Sequence, residues 1–397
     1  MAIADATPLA AGRAASGVLW ALLFGNFVIG TGVMVVAGTL NEISGSLQVS
    51  VATAGQLISA GGLLMCLAAP LLAAVVAGWD RRRLLTLSML WYGALHLACA
   101  LAPSFSVLLP LRVLALISPA VFTPQAAACV GLLVGPEHRG RGIAFIFLGW
   151  SMASVLGMPI GAFVGGTLGW SSAFVLVGML SLGSGLWIWR SMPDGVRPPA
   201  LSLAAWGETL GSGSLMLCIL VTVLSSAGQF VLMAYLAPYF RQKMNVTPTE
   251  LSLYFMWFGA FGFIGNFLMS RNMDRIGPSR AVMAGTCSMA LTLLLWPLGT
   301  TLMLASLVAV PWALGCFASN SAQQARLVGI APALASGSIA LNSSAMYAGQ
   351  AIGAAGGGWL IVNSGSMDPL HWAGLASMVA AMAVSALATR QRASQSA

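Results

Sequence analysis

The chain has 397 residues, of which 58% are hydrophobic and only 7% charged. A soluble domain carries about 25% charged residues, so this composition excludes a water-exposed globule. The net charge of +8 is spread over short segments between apolar runs, which excludes a nucleic-acid-binding surface.

In chain order, residues 1–17 are small and mixed, with Arg13 just before the first apolar run. That run is too long for a signal peptide and others follow it, so no cleavable signal is expected. About 20 apolar residues span a bilayer as a helix, which satisfies every backbone group internally. On that basis the first half predicts spans over 18–40, 52–77, 84–102, 105–133, 142–166 and 170–190. Residues 191–211, with Pro193, Pro198 and Pro199, predict a linker. The second half predicts spans over 212–237, 250–270, 281–299, 301–325, 335–362 and 370–389. The expected fold class is therefore an all-α membrane protein of twelve helices. It divides into bundles at 1–190 and 212–397, with 191–211 as a cytoplasmic linker. The alternating ten-residue pattern of a β-barrel is absent.

With the N-terminus placed in the cytoplasm, 14 of the 17 basic residues fall in cytoplasmic segments, Arg326 among them. Arg241 and Lys243 fall outside, and Arg112 falls within a span. This asymmetry predicts both termini in the cytoplasm. The halves also repeat: Asp80-Arg81 after the second span recurs 194 residues later as Asp274-Arg275. Gly161, Gly165 and Gly166 recur as Gly353, Gly357 and Gly358. A duplicated six-helix unit predicts a transporter with its site near the midplane between the halves.

Other chemistry is poorly supported. The six cysteines stand singly in different apolar segments, without metal-ligand spacing. No cofactor is expected. No GxxxxGK[ST] loop occurs and Lys243 is the sole lysine, which argues against ATP-driven transport. His96, His138 and His371 are scattered, so no catalytic constellation is expected.

Four stretches carry a family resemblance: Gly78-Trp-Asp-Arg-Arg-Arg83, Arg112, Gly157-Met-Pro-Ile-Gly161 with Gly165-Gly166, and Ala340 to Gln350 through Tyr347. In these the chain resembles the major facilitator superfamily. More narrowly it looks like the twelve-span drug:proton antiporter branch of drug, sugar and nucleoside exporters. The resemblance implies a cytoplasmic charge latch at Gly78, Asp80 and Arg81, with Arg141 or the start of the eleventh span as partner. Asp274 and Arg275 would form its counterpart. It implies a role for Arg112 in proton transfer, and an antiporter helix-packing motif in Gly157, Pro159, Gly161, Gly165 and Gly166. It further implies a monomer in the bacterial inner membrane, with a cavity lined by polar residues. The candidates for substrate contact are Asn26, Thr31, Gln56, Arg112, Gln125, Gln229, Tyr235, Asn266, Asn342, Tyr347 and Gln350.

The chain departs from that branch in the first span, where Thr31-Gly32-Val33-Met34 lacks the usual mid-span acid. Proton coupling is therefore expected to run through Asp80, Glu42, His96 or Arg112, or through the substrate. The expected function is export of a small polar or amphiphilic solute by alternating access, with protons as coupling ion. The alternative is a facilitator or importer of an organic anion drawn to Arg112.

Overall fold

The computed structural model describes residues 8–76, 78–134, 139–197, 203–331 and 334–395. Those residues form helices and turns alone, and the helices make twelve crossings. The first half contains α1 (Pro8–Ser46), α2 (Val51–Val75) and α3 (Arg81–Ala100). Its fourth crossing is split into α4 (Phe105–Ala115) and α5 (Ile117–Leu133). Its fifth is split into α6 (Arg139–Met152) and α7 (Met158–Leu168) by a π-turn at Ala153–Gly157, and α8 (Trp170–Ser191) is the sixth. Residues 191–211 are not wholly extended, because α9 (Leu203–Gly211) occupies their end.

The second half begins with α10 (Gly213–Met233) and α11 (Leu236–Met244), one broken crossing. It continues with α12 (Pro248–Ile276) and α13 (Pro278–Leu295). Then come α14 (Leu302–Val308) and α15 (Val310–Ile330), again one broken crossing, followed by α16 (Ala335–Ser364) and α17 (Leu370–Gln395).

Ten of the crossings are long and apolar enough to be recognised as spans by composition alone. The other two are α3, which begins with three arginines, and α16, which is rich in Gly, Ala, Ser and Asn. Every broken crossing has a proline two or three residues past its break: Pro119, Pro159, Pro238 and Pro311. Proline cannot donate to the carbonyl four residues back and its ring crowds it, so the helix opens there. Between α12 and α13 the chain turns at Gly277 with φ +83°, a conformation that needs no Cβ, and Pro278 starts the next helix.

Glycine decides how the helices within each half meet. A Cβ on Gly157, Gly161 or Gly165 would strike Thr31, Val35 or Thr39 in turn, so one ridge of α1 lies in a groove four residues in period. The second half repeats this: Gly349, Gly353 and Gly357 of α16 lie against Val223–Ser226, Ala227 and Val231–Tyr235 along α10 and its end. Without a hydrophobic drive between helices in lipid, such close backbone approach supplies the packing attraction.

The halves meet unequally at the two faces of the bundle. The terminal face carries the start of α1 and the end of α17; the other is the distal face. The cluster joining both halves draws Val35–Ile43, Ala54–Ile58, Met158–Phe174, Val231–Phe240 and Leu251–Phe258 together, all in the distal parts of their crossings. Toward the terminal face the buried cluster belongs to the first half, apart from Tyr347 with Met346 packed beside it. Two smaller clusters there belong to the second half alone.

Candidate functional site

Two polar groups flank the plane between the halves near mid-depth, and they are related by the duplication. In the first half Thr123 of α5 donates to Asn26 Oδ1 at 2.8 Å, and Trp150 Nε1 of α6 donates to Thr123 at 3.4 Å. In the second, Thr222 of α10 donates to Asn342 Oδ1 at 2.6 Å, and Asn342 Nδ2 donates to Asn320 Oδ1 at 3.3 Å. Each ties the first, fourth and fifth crossings of its half. Asn26 and Asn342 are buried, while Thr123, Trp150 and Asn320 keep partial exposure. Gln229 sits farther along α10, taking a bond from Trp312 Nε1 at 3.3 Å and donating to the Ser225 carbonyl at 3.3 Å. The partly exposed members can present donors and acceptors to a polar solute from both sides, as a midplane transport site requires.

Arg112 does not join them. Its guanidinium is 1% exposed and faces into the first bundle. It donates to His96 Nε2 at 3.0 Å, to the Gly32 carbonyl at 2.7 Å and to the Val33 carbonyl at 3.2 Å. Phe174 lies 5.9 Å beneath it. A nitrogen that accepts from an arginine carries no proton, so His96 donates through Nδ1 to the Tyr92 carbonyl at 2.8 Å. The Thr31–Met34 stretch thus answers Arg112 with backbone oxygens in place of a carboxylate. This corrects the expectation of an arginine free to attract an anion. His96, a coupling candidate, is fully buried against Arg112. A second enclosed cation was missed: Arg326, counted as cytoplasmic, is 1% exposed inside α15 and bonds to Ser385 and Thr389 of α17.

The other candidates scatter. Thr31 is buried against Gly157 and bonded to the Phe27 carbonyl. Gln56 is exposed on the stripe that continues through Leu63, Leu67 and Leu71, the outward side of α2, so it lies away from the plane between the halves. Asn266 accepts from Ser321 at 2.8 Å between α12 and α15. Gln125 and Gln350 are buried. Tyr235 and Tyr347 belong to the seam. The Tyr235 hydroxyl donates to the Ala354 carbonyl at 2.7 Å, and its ring fills the space left by Gly55 and Gly358. A Cβ on Gly62 would come 2.9 Å from the Tyr347 carbonyl oxygen.

At the terminal face, Asp80 caps α3. It accepts from Arg83 N at 3.2 Å and Gly195 N at 2.6 Å. Arg81 bonds the Val76 and Trp79 carbonyls. Arg82 lies 4.3 Å over Trp189 and pairs with Asp194 at 2.7 Å. Gly78 sits in open space. The expected latch from Asp80 to Arg141 or α16 is therefore not made in this conformation; Asp80 is tied to the segment after α8 of its own half, and Arg141 is exposed. Arg275 is exposed too, while the Asp274 side chain, Glu137 and His138 lie outside the described residues.

At the distal face the halves are pinned. Glu42 Oε1 of α1 pairs with Arg241 Nη1 of α11 at 3.0 Å, the one ion pair between halves among the described residues. The second Glu42 oxygen and the adjacent Asn41 Nδ2 are buried without a partner. Ser252 donates to the Pro159 carbonyl at 2.9 Å, just past the π-turn. Gly166, unlike its motif neighbours, faces the other half: a Cβ there would lie 2.5 Å from Pro248 Cβ. Arg241 was not foreseen as Glu42's partner, because sequence separation hides a contact across the seam. The repeat offset of 194 carries Asn26 to Leu220 and Asn342 to Leu148, so it does not lead from one polar group to the other.

The sequence profile described as Major Facilitator Superfamily matches residues 22–338 and 218–396. A chloramphenicol resistance protein of Streptomyces lividans is 31% identical over 273 residues, covering 68% of this chain and 69% of the relative. A probable sugar efflux transporter of Helicobacter pylori is 26% identical over 353 residues, covering 87% and 90%. Among solved structures, a bacterial homolog of the human lysosomal transporter Spinster superposes with a TM-score of 0.75 at 19% identity, covering 97% of this chain and 96% of that one. The twelve crossings, the duplicated halves and these matches agree: the chain is a multi-pass membrane transporter, not an enzyme, and belongs to the major facilitator superfamily.

Proposed function

We propose that the chain exports a small polar or amphiphilic solute by alternating access, with the terminal face in the cytoplasm of a bacterial inner membrane. The observation that carries this is the unequal seam. The halves are joined by apolar packing and the Glu42–Arg241 pair at the distal face, whereas Asp80 and Arg82 bond within the first half at the terminal face. That is the shape of a carrier loading from the terminal side. The Asn26 and Asn342 groups face the loading space, and rocking of one half against the other carries the solute across. The relatives named for chloramphenicol resistance and sugar efflux support the outward direction and this class of solute.

Coupling runs through Glu42. Opening the distal face must separate it from Arg241, and a carboxylate already stripped of water on one oxygen is best released by taking a proton. Protons entering from outside would break the pin and open the distal gate; loss of the proton inward would follow closure. The reading is tested with purified protein in proteoliposomes and a panel of sugars, nucleosides, phenicol-type drugs and organic anions. An imposed proton gradient is expected to drive uptake of a neutral or cationic solute, and Glu42→Gln to abolish the gradient dependence while solute exchange persists. Gradient-independent movement of an organic anion, or an unaltered pH profile in Glu42→Gln, sinks it.

A further inference from the structure

The break between α14 and α15 is held open by a side chain from the preceding crossing. Pro311 has no N–H to give the Leu307 carbonyl. The next N–H, that of Trp312, does not close on the Val308 carbonyl four residues back. It donates instead to Thr292 Oγ1 of α13 at 3.0 Å, and the same hydroxyl donates to the Val308 carbonyl at 2.8 Å. Thr292 is fully buried. One hydroxyl thus stands between the two ends of a missing helical bond, using its donor and an acceptor lone pair at once. The duplicated break in the first half is treated differently. There the Leu114 carbonyl, 194 residues before Val308, accepts from Trp91 Nε1 of α3 at 2.9 Å. An indole only donates, so Trp91 caps one end of its break, whereas Thr292 bridges both.

The bridged break lies between parts of the second half that face different neighbours. On its inner side, Trp312 is anchored to Gln229 of α10 through its indole N–H. On its outer side, the Ser306 carbonyl of α14 accepts from Trp257 Nε1 of α12 at 3.2 Å. The distal part of α12 carries Ser252, which bonds the first half. The Trp312 ring also meets Trp296 at 6.4 Å, and Trp296 meets Phe240 at 6.1 Å, next to Arg241 in the chain. Bending at the break therefore moves α14 against α15 beside both distal contacts, Ser252–Pro159 and Arg241–Glu42. A crossing closed by a direct bond from Trp312 to Val308 would be stiff at this point; one spliced by a hydroxyl can change its angle by sliding over Thr292 without stranding either backbone group. We infer that Thr292 is a positioning residue for the distal gate, its hydroxyl keeping the tenth crossing hinged at Val308–Trp312 so that α14 swings outward when the halves part. This inference rests on the alternating-access reading above, but not on the solute, its direction or the coupling ion.

The test measures opening directly, with no solute present. Spin labels are placed at Gly45→Cys and Met303→Cys in the full chain with its six native cysteines replaced by alanine. Both sites are at the distal face; a Cβ on Gly45 meets nothing and Met303 is 74% exposed. Electron–electron resonance gives the distance distribution. Arg241→Gln, which removes the pin, is expected to add a longer distance. Thr292→Val in that background keeps the shape but not the hydroxyl, and is expected to lower the longer population about fivefold, the worth of one hydrogen bond. Thr292→Ser should restore it. Thr286→Val, which removes a buried hydroxyl of the same helix bonded only within it to the Val282 carbonyl, should leave it unchanged. Helical content and thermal midpoint check the fold. Should Thr292→Val unfold, Pro311→Ala carries the test: it returns an N–H to the break, leaves Thr292 in place, and is expected to lower the longer population as well. An equal longer population with and without the hydroxyl, no rescue by serine, or an equal loss in Thr286→Val would overturn the hinge while leaving alternating access standing. A distance that does not lengthen in Arg241→Gln, with Thr292 intact, would overturn the alternating-access reading and the hinge with it.

Discussion

A guanidinium enclosed by helices keeps its charge and has to be met by oxygens. Arg112 is met by two carbonyls of α1 and the lone pair of His96, and this set uses a forked donor that lysine does not possess. Both Arg112→Lys and Arg112→Ala are therefore expected to destabilise the first bundle by about 2–5 kcal/mol, the usual cost of leaving partners of a buried charge unmet. Thermal unfolding in detergent measures it. A fall confined to transport, with no loss of stability, would return Arg112 to the transport path. The glycines make a sharper case. A Cβ on Gly157 would lie 2.0 Å from Thr31 Oγ1, whereas one on Gly183 meets nothing. Gly157→Ala is expected to cost about 1–3 kcal/mol by overpacking, with partial recovery in Gly157→Ala/Thr31→Ala. Gly183→Ala is expected to stay within about 0.5 kcal/mol. Equal effects at the two glycines would refute this packing.

Among the elements, α11 bears on both distal ties: Arg241 reaches Glu42 in the first half, and Lys243 reaches Asp368 at 2.8 Å in the loop before α17. The Asp368 carboxyl is held below its ordinary 3.8 by the hydrogen bond from Lys243, and then by one from Ser366. A depressed carboxylate contributes its stabilisation above the ordinary value and loses it as pH falls through the folded value. Protection of the 364–369 turn from hydrogen exchange is thus expected to be flat from neutral pH to about 5 and to fall only below 3.8. Loss of protection at 364–369 between pH 5 and 7 would contradict this assignment. The π-turn at Ala153–Gly157 is the matching irregularity in the first half. Pro159 withholds its N–H from the preceding turn, the helix widens there, and the Pro159 carbonyl beside it receives Ser252 of the other half.

For the whole molecule, the unequal seam predicts which face a cross-link will lock. Gly166 and Pro248 oppose one another across the distal seam. Gly166→Cys/Pro248→Cys is expected to form a disulfide once the two backbones part by about 1 Å, since the 2.5 Å Cβ separation is shorter than the roughly 3.8 Å such bonds require. Oxidation should stop transport at least tenfold, with recovery on reduction, because a carrier that cannot open one face cannot turn over. Transport that continues in the oxidised variant would show that the halves do not part there.

The sequence alone determined the membrane environment, the crossings and the duplication. Each rests on local quantities: unbroken apolar length, placement of arginines, and residues recurring at a constant offset. It also held the glycine ridge at Gly157, Gly161 and Gly165, since a period of four is visible without coordinates. Only the tertiary structure decided where polar side chains point. Helix rotation sets that, and helices this uniformly apolar have no amphipathic face to reveal it. For that reason Gln56 faces outward, Arg112 turns into its own bundle, and Asp80 binds its own half. Glu42 meets Arg241 only because two helices nearly 200 residues apart in sequence end side by side at the distal face.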